Sequence, residues 1–259
     1  MKNFKAFVVN LPSAKERRRL MVSQLEELSI DYEIIEAIEG SKLSPQTHQE
    51  IDWQWAEANA FWIPKGLLAC TLSHLKACKA IVEQQLDFGL VLEDDTYLHP
   101  DLRFALAELG EYLQDGEVIM LYYGAREVLK LDSKQAIHLK SSKSRLLQPQ
   151  SPHVLINANA YMLTPKTAVS MLNFQTPIKA TSDSWGIYLK NHAIQNILCT
   201  YPMLAEAADL KSTIDYVDKD SFKGKLTQMI DEYKLFPFYQ ILKRRRMLAR
   251  KKKLNFEIV

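Results

Sequence analysis

The chain has 259 residues, 47% of them apolar and 25% charged, with a net charge of +2. This is enough apolar material for one α/β domain with an appendage, and it excludes long disorder. The three cysteines, Cys70, Cys78 and Cys199, are too few and too sparse for a disulfide framework. They are expected to be reduced thiols, with no CxxC or Cys/His ligand spacing to suggest a structural zinc site.

Residues 4–11 (FKAFVVNL) read as a buried strand stopped by Pro12. Ser13 lies three residues before Glu16, a capping-box spacing. The helix it would open runs to Leu28, with Leu20, Leu25 and Leu28 on one face. Ile30, Tyr32 and Ile34 alternate as a second strand that ends near Ala37, with Gly40 as punctuation. Strand, helix and strand make a βαβ unit, the building block of parallel sheets. Residues 41–65, which hold Trp53, Trp55 and Trp62, read as an excursion from the sheet. Leu68, Leu72, Leu75 and Val82 fall at helical spacing and predict a helix over 67–85. Residues 88–92 (FGLVL) form a continuous apolar run, the pattern of a strand covered on both faces.

Further along, 102–113 predicts a helix, 118–121 a buried strand, 127–152 a loop or hairpin and 154–163 a strand. Thr164 then caps a helix that has Pro165 at its first position. A loop over 176–184 leads to a short helix at 185–190, and 194–201 reads as the last strand. Residues 222–253 read as two helices broken near Pro237. Eight basic residues and no acidic one lie between Lys243 and Lys253; without them the net charge of +2 becomes −6 for the rest of the chain. Phe238, Tyr239, Ile241, Leu242, Met247 and Leu248 accompany those bases, a composition suited to an amphipathic membrane-surface helix. Anionic lipid attracts such a segment by ~1 kcal/mol per Lys or Arg. Nucleic acid is disfavoured as a partner because the body is acidic. The domain reading is therefore 1–221 for the catalytic unit and 222–259 for a basic helical tail.

The chemistry concentrates at Glu93-Asp94-Asp95, which directly follows the apolar run. Ligands of open α/β sheets bind beyond the carboxyl ends of the strands. Three adjacent carboxylates at such an end repel one another unless positive charge compensates them. A divalent ion shared with phosphate oxygens resolves the conflict, and a solvated acidic turn is the plainer alternative.

Several segments in order resemble glycosyltransferase family 25, the lipooligosaccharide-biosynthesis glycosyltransferases. They are Val8-Val9-Asn10-Leu11 with Arg17-Arg18, Ala37-Ile38-Glu39-Gly40, Cys70-Thr71-Leu72-Ser73-His74 and Leu92-Glu93-Asp94-Asp95, followed by the weaker Ala160-Tyr161-Met162-Leu163 and Ser212-Thr213-Ile214. Ala69 stands where the family usually has glycine before the cysteine, and Leu67 and Leu68 stand where an acidic residue is common. The resemblance implies a GT-A type fold with a mainly parallel sheet, an inverting reaction and a UDP-galactose or UDP-glucose donor.

On this reading Asp94 and Asp95 hold a divalent metal, Mn2+ or Mg2+, against the diphosphate. Glu93 orients the site or meets the ribose. Arg17 and Arg18 reach the diphosphate. Asn10, Leu11 and Ala37 meet the base or ribose, and the resemblance puts Ser73 and His74 in the nucleotide site. Inversion needs a general base, for which Asp183 is the candidate, beside Trp185 as a possible sugar-stacking ring; Glu206 and Asp209 stand in reserve. The acceptor would be lipooligosaccharide. The opening residues are too short for a signal-peptide core and no stretch reaches the ~20 apolar residues of a membrane span. The expected location is therefore cytoplasmic, peripheral on the inner membrane.

Three rivals stay open. A sugar-nucleotide nucleotidyltransferase would need a glycine-rich phosphate loop after the first strand, and residues 12–20 contain no glycine. A non-catalytic carbohydrate-binding or scaffolding protein would not need the intact acidic triplet. A metal-dependent phosphatase would cleave a generic phosphoester without any acceptor.

Overall fold

The computed structural model describes residues 2–208, 229, 230, 234, 236, 237, 240 and 256–259. Its elements begin with β1 (Phe4–Asn10), α1 (Lys15–Glu27), β2 (Tyr32–Glu36), α2 (Trp53–Ala58), α3 (Lys65–Glu83), β3 (Phe88–Glu93) and β4 (Thr96–Leu98). They continue with α4 (Leu102–Tyr112), β5 (Glu117–Ala125), β6 (Leu129–His138), β7 (Arg145–Pro149), β8 (Leu155–Leu163) and α5 (Pro165–Phe174). Then come α6 (Trp185–Lys190), β9 (Asn196–Tyr201), β10 (Ala205–Ala207) and β11 (Phe256–Ile258).

Nine strands form one sheet in the order β11-β6-β7-β9-β5-β8-β3-β1-β2, and β4 and β10 make a separate antiparallel pair. The pairing directions leave seven of the nine strands pointing one way, with β7 and β8 reversed. The sheet is therefore mainly parallel in direction, as expected, with two antiparallel insertions.

Alternation along the strands explains the layering. Phe7 and Val9 of β1 and Val91 of β3 point into one apolar cluster with Ala77, Cys78 and Ile81 of α3, Met171 of α5 and Trp185 of α6. Ala6 and Val8 of β1 and Leu90 and Leu92 of β3 point into the other, with Met21 and Leu25 of α1 and Leu106 of α4. Helices thus cover both faces, and so the strand at 88–92 carries no polar alternation. A third, smaller cluster packs Leu43, Ile51 and Ala56 of the 41–65 excursion on Leu68 and Leu72 of α3. Gly40 is fixed by close approach there: a Cβ would lie 2.8 Å from the backbone nitrogen of Gly66.

Three local expectations change. Helix α1 starts at Lys15 behind Ala14, without a side-chain cap, so Ser13 and Glu16 form no capping box. Its buried face is Arg17, Met21 and Leu25, whereas Leu20 is exposed. The polar stretch 127–152, read as a loop or hairpin, does contain a hairpin, β6–β7. Strand β9 is not the last strand, because β10 and β11 follow it, and β11 pairs in parallel with β6. Residues 256–258, assigned in sequence to the tail, therefore belong to the main sheet. The rest of the expected basic helices and the boundary at 221 lie almost wholly outside the described residues. Thr164 does cap α5, its hydroxyl accepting from the Thr167 N–H, with Pro165 in the first turn.

Candidate active site

Strands β1, β2 and β3 are parallel neighbours, so their carboxyl ends lie on one edge. That geometry brings Asn10, Ala37 and Glu93-Asp94-Asp95 together from distant parts of the chain. Asp94 is 8% exposed and engaged at both oxygens. Its Oδ1 accepts from Arg17 Nη1 at 2.9 Å and its Oδ2 from Asn10 Nδ2 at 2.7 Å. Arg17 Nη1 also stands 3.4 Å from Asp95 Oδ2. Asn159 of the reversed strand β8 donates from Nδ2 to Glu93 Oε2 at 3.2 Å and to Asp95 Oδ1 at 3.1 Å. It can do so because Leu92 is paired with Ala160 across β3 and β8.

Asp94 and Asp95 thus share one guanidinium, and Glu93 stands beside them on Asn159. Burial and the Glu93 charge push the Asp95 carboxyl up to about 6; Asp94 adds to this, and Arg17 and Asn159 oppose it. The all-oxygen donor set and surplus negative charge fit a hard divalent cation. Asp95 and Glu93 fit best as its holders, since Asp94 already serves Arg17 and Asn10.

Behind the carboxylates lies a buried imidazole. His74 Nδ1 is 3.0 Å from the Tyr161 hydroxyl. Its Nε2 is 3.4 Å from Glu93 Oε1 and meets no partner in hydrogen-bonding geometry. Burial opposes a charged ring, but the nearby Cys70 and Glu93 outweigh it and raise His74 to about 10. Ser73 is committed to the fold: its hydroxyl donates to Ala69 O at 2.6 Å and accepts from the Ile38 N–H at 2.9 Å. It thereby pins the end of β2 to α3, and Ala37 N–H closes on Asn10 O at 2.9 Å.

The remaining predicted residues are placed as follows. Leu11 is half-buried just past β1, and Ala37 is half-buried against the core. Arg18 is exposed, and its charge acts on Tyr32 instead of reaching the carboxylates. Asp183 lies in the loop before α6 and accepts from the Thr181 hydroxyl at 2.7 Å. The same loop docks on α3, where Ser182 N–H donates to Thr71 Oγ1 at 3.0 Å and Ser182 Oγ lies 3.7 Å from Cys70 Sγ. Asp183 does not cap α6; Ser184 holds that position, without a side-chain cap bond. Trp185 is fully buried, donates to Asn157 O at 2.7 Å and packs on Tyr161 and Tyr188, so it is not available to stack on a sugar. Glu206 is exposed on β10 opposite Tyr97, and Asp209 lies outside the described residues.

Asn159, Tyr161 and Cys70 were not chosen as site residues from sequence. Asn159 sits in a strand with no local signal, and only the β3–β8 register brings it to the carboxylates. Cys70 and His74 are one helical turn apart, a spacing that could have flagged them as sharing a face.

Residues 3–185 match the model of a family described as Glycosyltransferase family 25 (LPS biosynthesis protein). A mouse protein named procollagen galactosyltransferase 2 is 26% identical over 140 residues, which are 51% of this chain and 22% of that protein. A mouse protein named inactive glycosyltransferase 25 family member 3 is 27% identical over 129 residues, 47% of this chain and 22% of that protein. These matches span only about a fifth of the relatives' length. Among solved structures, a glycosyltransferase involved in the glycosylation of the major capsid of PBCV-1 gives a TM-score of 0.40 at 9% identity, over 83% of this chain and 96% of that one. The family match runs from the start of β1 past the acidic edge to the Asp183 loop: the chain belongs to glycosyltransferase family 25.

Proposed function

We propose that this chain is an inverting hexosyltransferase of GT-A type. It would move galactose or glucose from a UDP-sugar to a lipooligosaccharide acceptor at the cytoplasmic face of the inner membrane. The observation that carries the reading is the surplus of carboxylate at the shared edge of β1, β2 and β3, where Asp94 and Asp95 share the guanidinium of Arg17 and Glu93 joins them through Asn159. Asp95 and Glu93 would hold Mn2+ or Mg2+. When bound, that cation would supply charge neutralisation to the departing diphosphate. Asp94 orients Arg17 and Asn10. Arg17 is in turn near enough to the edge to answer a phosphate, and Asn10 and Ala37 line the strand ends where a base and ribose would lie.

Asp183 would take the proton from the acceptor hydroxyl as that oxygen attacks the anomeric carbon opposite the leaving group. Its loop is held against α3 by the Ser182–Thr71 bond. No helix among the described residues is long and apolar enough to cross a membrane. The basic composition of the segment between Lys243 and Lys253 would attach the chain to anionic lipid.

The test is a donor screen against truncated lipooligosaccharide, read by mass spectrometry, with Mn2+, Mg2+ or chelator present. Transfer from UDP-galactose or UDP-glucose is expected with metal and is expected to be lost in Asp95→Asn. Transfer that is undiminished in both Asp95→Asn and chelator would overturn the metal role.

A second reading is a non-catalytic family member. It is favoured by the family relative named inactive and by the full engagement of Asp94 within the protein. Absence of UDP binding together with absence of transfer from every donor would select it.

A further inference from the structure

We propose that Cys70, His74 and Glu93 form a site for a thiophilic divalent cation, Zn2+ by its donor set, which shares Glu93 with the all-oxygen position at Asp95 but does not use Asp95. Cys70 Sγ, His74 Nε2 and a Glu93 oxygen lie within 4.8 Å of one another. Cys70 and His74 occupy successive turns of α3 and share a face. Glu93 comes to them from the end of β3.

The second observation is the imidazole itself. His74 is 3% exposed, and its Nε2 is a buried polar atom with no hydrogen-bond partner. Its ion pair with Glu93 Oε1 at 3.4 Å leaves it without a well-formed hydrogen bond, which is costly at this depth and calls for an explanation. The ring's other nitrogen is held at 3.0 Å by the Tyr161 hydroxyl, which fixes the ring orientation in the way outer partners fix metal-binding histidines.

The spacing is also informative. Nε2 and Glu93 Oε1 are 3.4 Å apart, outside hydrogen-bonding geometry. Two ligands about 2.0–2.2 Å from a tetrahedral zinc ion stand at about that separation from each other. Cys70 Sγ completes the triangle within the same 4.8 Å, and its side chain is only partly buried. Binding displaces the ring proton to solvent, and the thiolate, neutral imidazole and carboxylate then carry two negative charges, which one divalent cation balances. Sulfur and imidazole donors select zinc over magnesium or manganese. Three protein ligands leave a fourth position open, and Ser182 Oγ lies 3.7 Å from Cys70 Sγ. The site therefore lies between the acidic edge and the loop that carries Asp183.

The experiment uses the untagged full chain, stripped of metal and titrated with Co2+. A sulfur-to-cobalt charge-transfer band should grow to one equivalent and disappear on adding Zn2+. It should be absent in Cys70→Ser and retained in Asp95→Asn, which separates this site from the metal role proposed for transfer. Zn2+ affinity in Cys70→Ser should fall by roughly 100-fold or more, beyond the cost of losing an outer partner. A second measurement needs no variant: Zn2+ should slow alkylation of Cys70 in the wild-type protein, mapped by mass spectrometry. No charge-transfer band in the wild type, a band that survives Cys70→Ser, or alkylation of Cys70 at the same rate with and without Zn2+ would each overturn the proposal.

Discussion

The two halves of the sheet treat polar groups differently. On the β2-β1-β3 side the strands run parallel without interruption, and their carboxyl ends deliver Asn10, Ala37 and Glu93-Asp94-Asp95 to one place. Arg17 is buried there because Asp94 and Asp95 receive its charge. On the side from β8 to β11 two reversed strands interrupt the parallel order, and three of the largest buried side chains, Tyr123 of β5 and Trp185 and Tyr188 of α6, are aromatic. Their polar tips meet neutral partners, as Trp185 does at Asn157 O and Tyr123 at Thr200 O. The contrast teaches that the parallel half concentrates charge at one edge, whereas the mixed half buries bulk and supplies walls, together with Asn159.

Removing the guanidinium is the strongest way to break this comparison. Arg17→Ala leaves two carboxylates without their cation in a buried setting and is expected to cost about 3–5 kcal/mol. Urea denaturation in chelator measures it. A loss under about 1 kcal/mol, the range of exposed pairs, would mean that the pair is solvated and that the edge is no special repository of charge.

The next largest effect is on pH dependence. Asp95 is raised to about 6 in the folded chain, above its ordinary 3.8, so its protonated form is favoured on folding. Its contribution to stability is fully present below about 3.8 and is lost as pH rises through about 6. In chelator, the wild type minus Asp95→Asn difference in thermal midpoint should therefore become more unfavourable to the wild type between pH 5 and pH 7. A difference that is flat, or of the opposite sign, would remove the argument for surplus negative charge.

Smaller effects sharpen the role of the supports. Gly40→Ala pushes a Cβ to 2.8 Å from the Gly66 backbone and should cost about 1–3 kcal/mol by shifting the end of β2 against α3. If the variant keeps wild-type stability by calorimetry, that contact yields freely. On the opposite side, Thr164→Ala removes the α5 cap, far from the acidic edge, and should cost about 1 kcal/mol. Nucleotide binding by the variant, measured by calorimetry, should be unchanged; a large loss there would show that the two halves are coupled.

Local patterns alone determined much of this protein. Apolar runs located β1, β3 and β8, helical spacing located α3, and Thr164-Pro165 marked the start of α5, because each signal lies within one element. The acidic triplet could be read as a site because a buried strand ran straight into it. What only the tertiary structure decided was partnership. Leu20 was the natural choice for the buried face of α1, yet Arg17 and Met21 hold it, because a carboxylate 77 residues away accepts the Arg17 charge. Strand register carried Asn159 to Glu93 and Asp95, and packing took Trp185 out of reach of any sugar. The same packing set His74 between Tyr161 and Glu93. Periodicity reports which face a residue belongs to, but what a buried polar group meets there depends on contacts between distant segments, and those exist only in the folded chain.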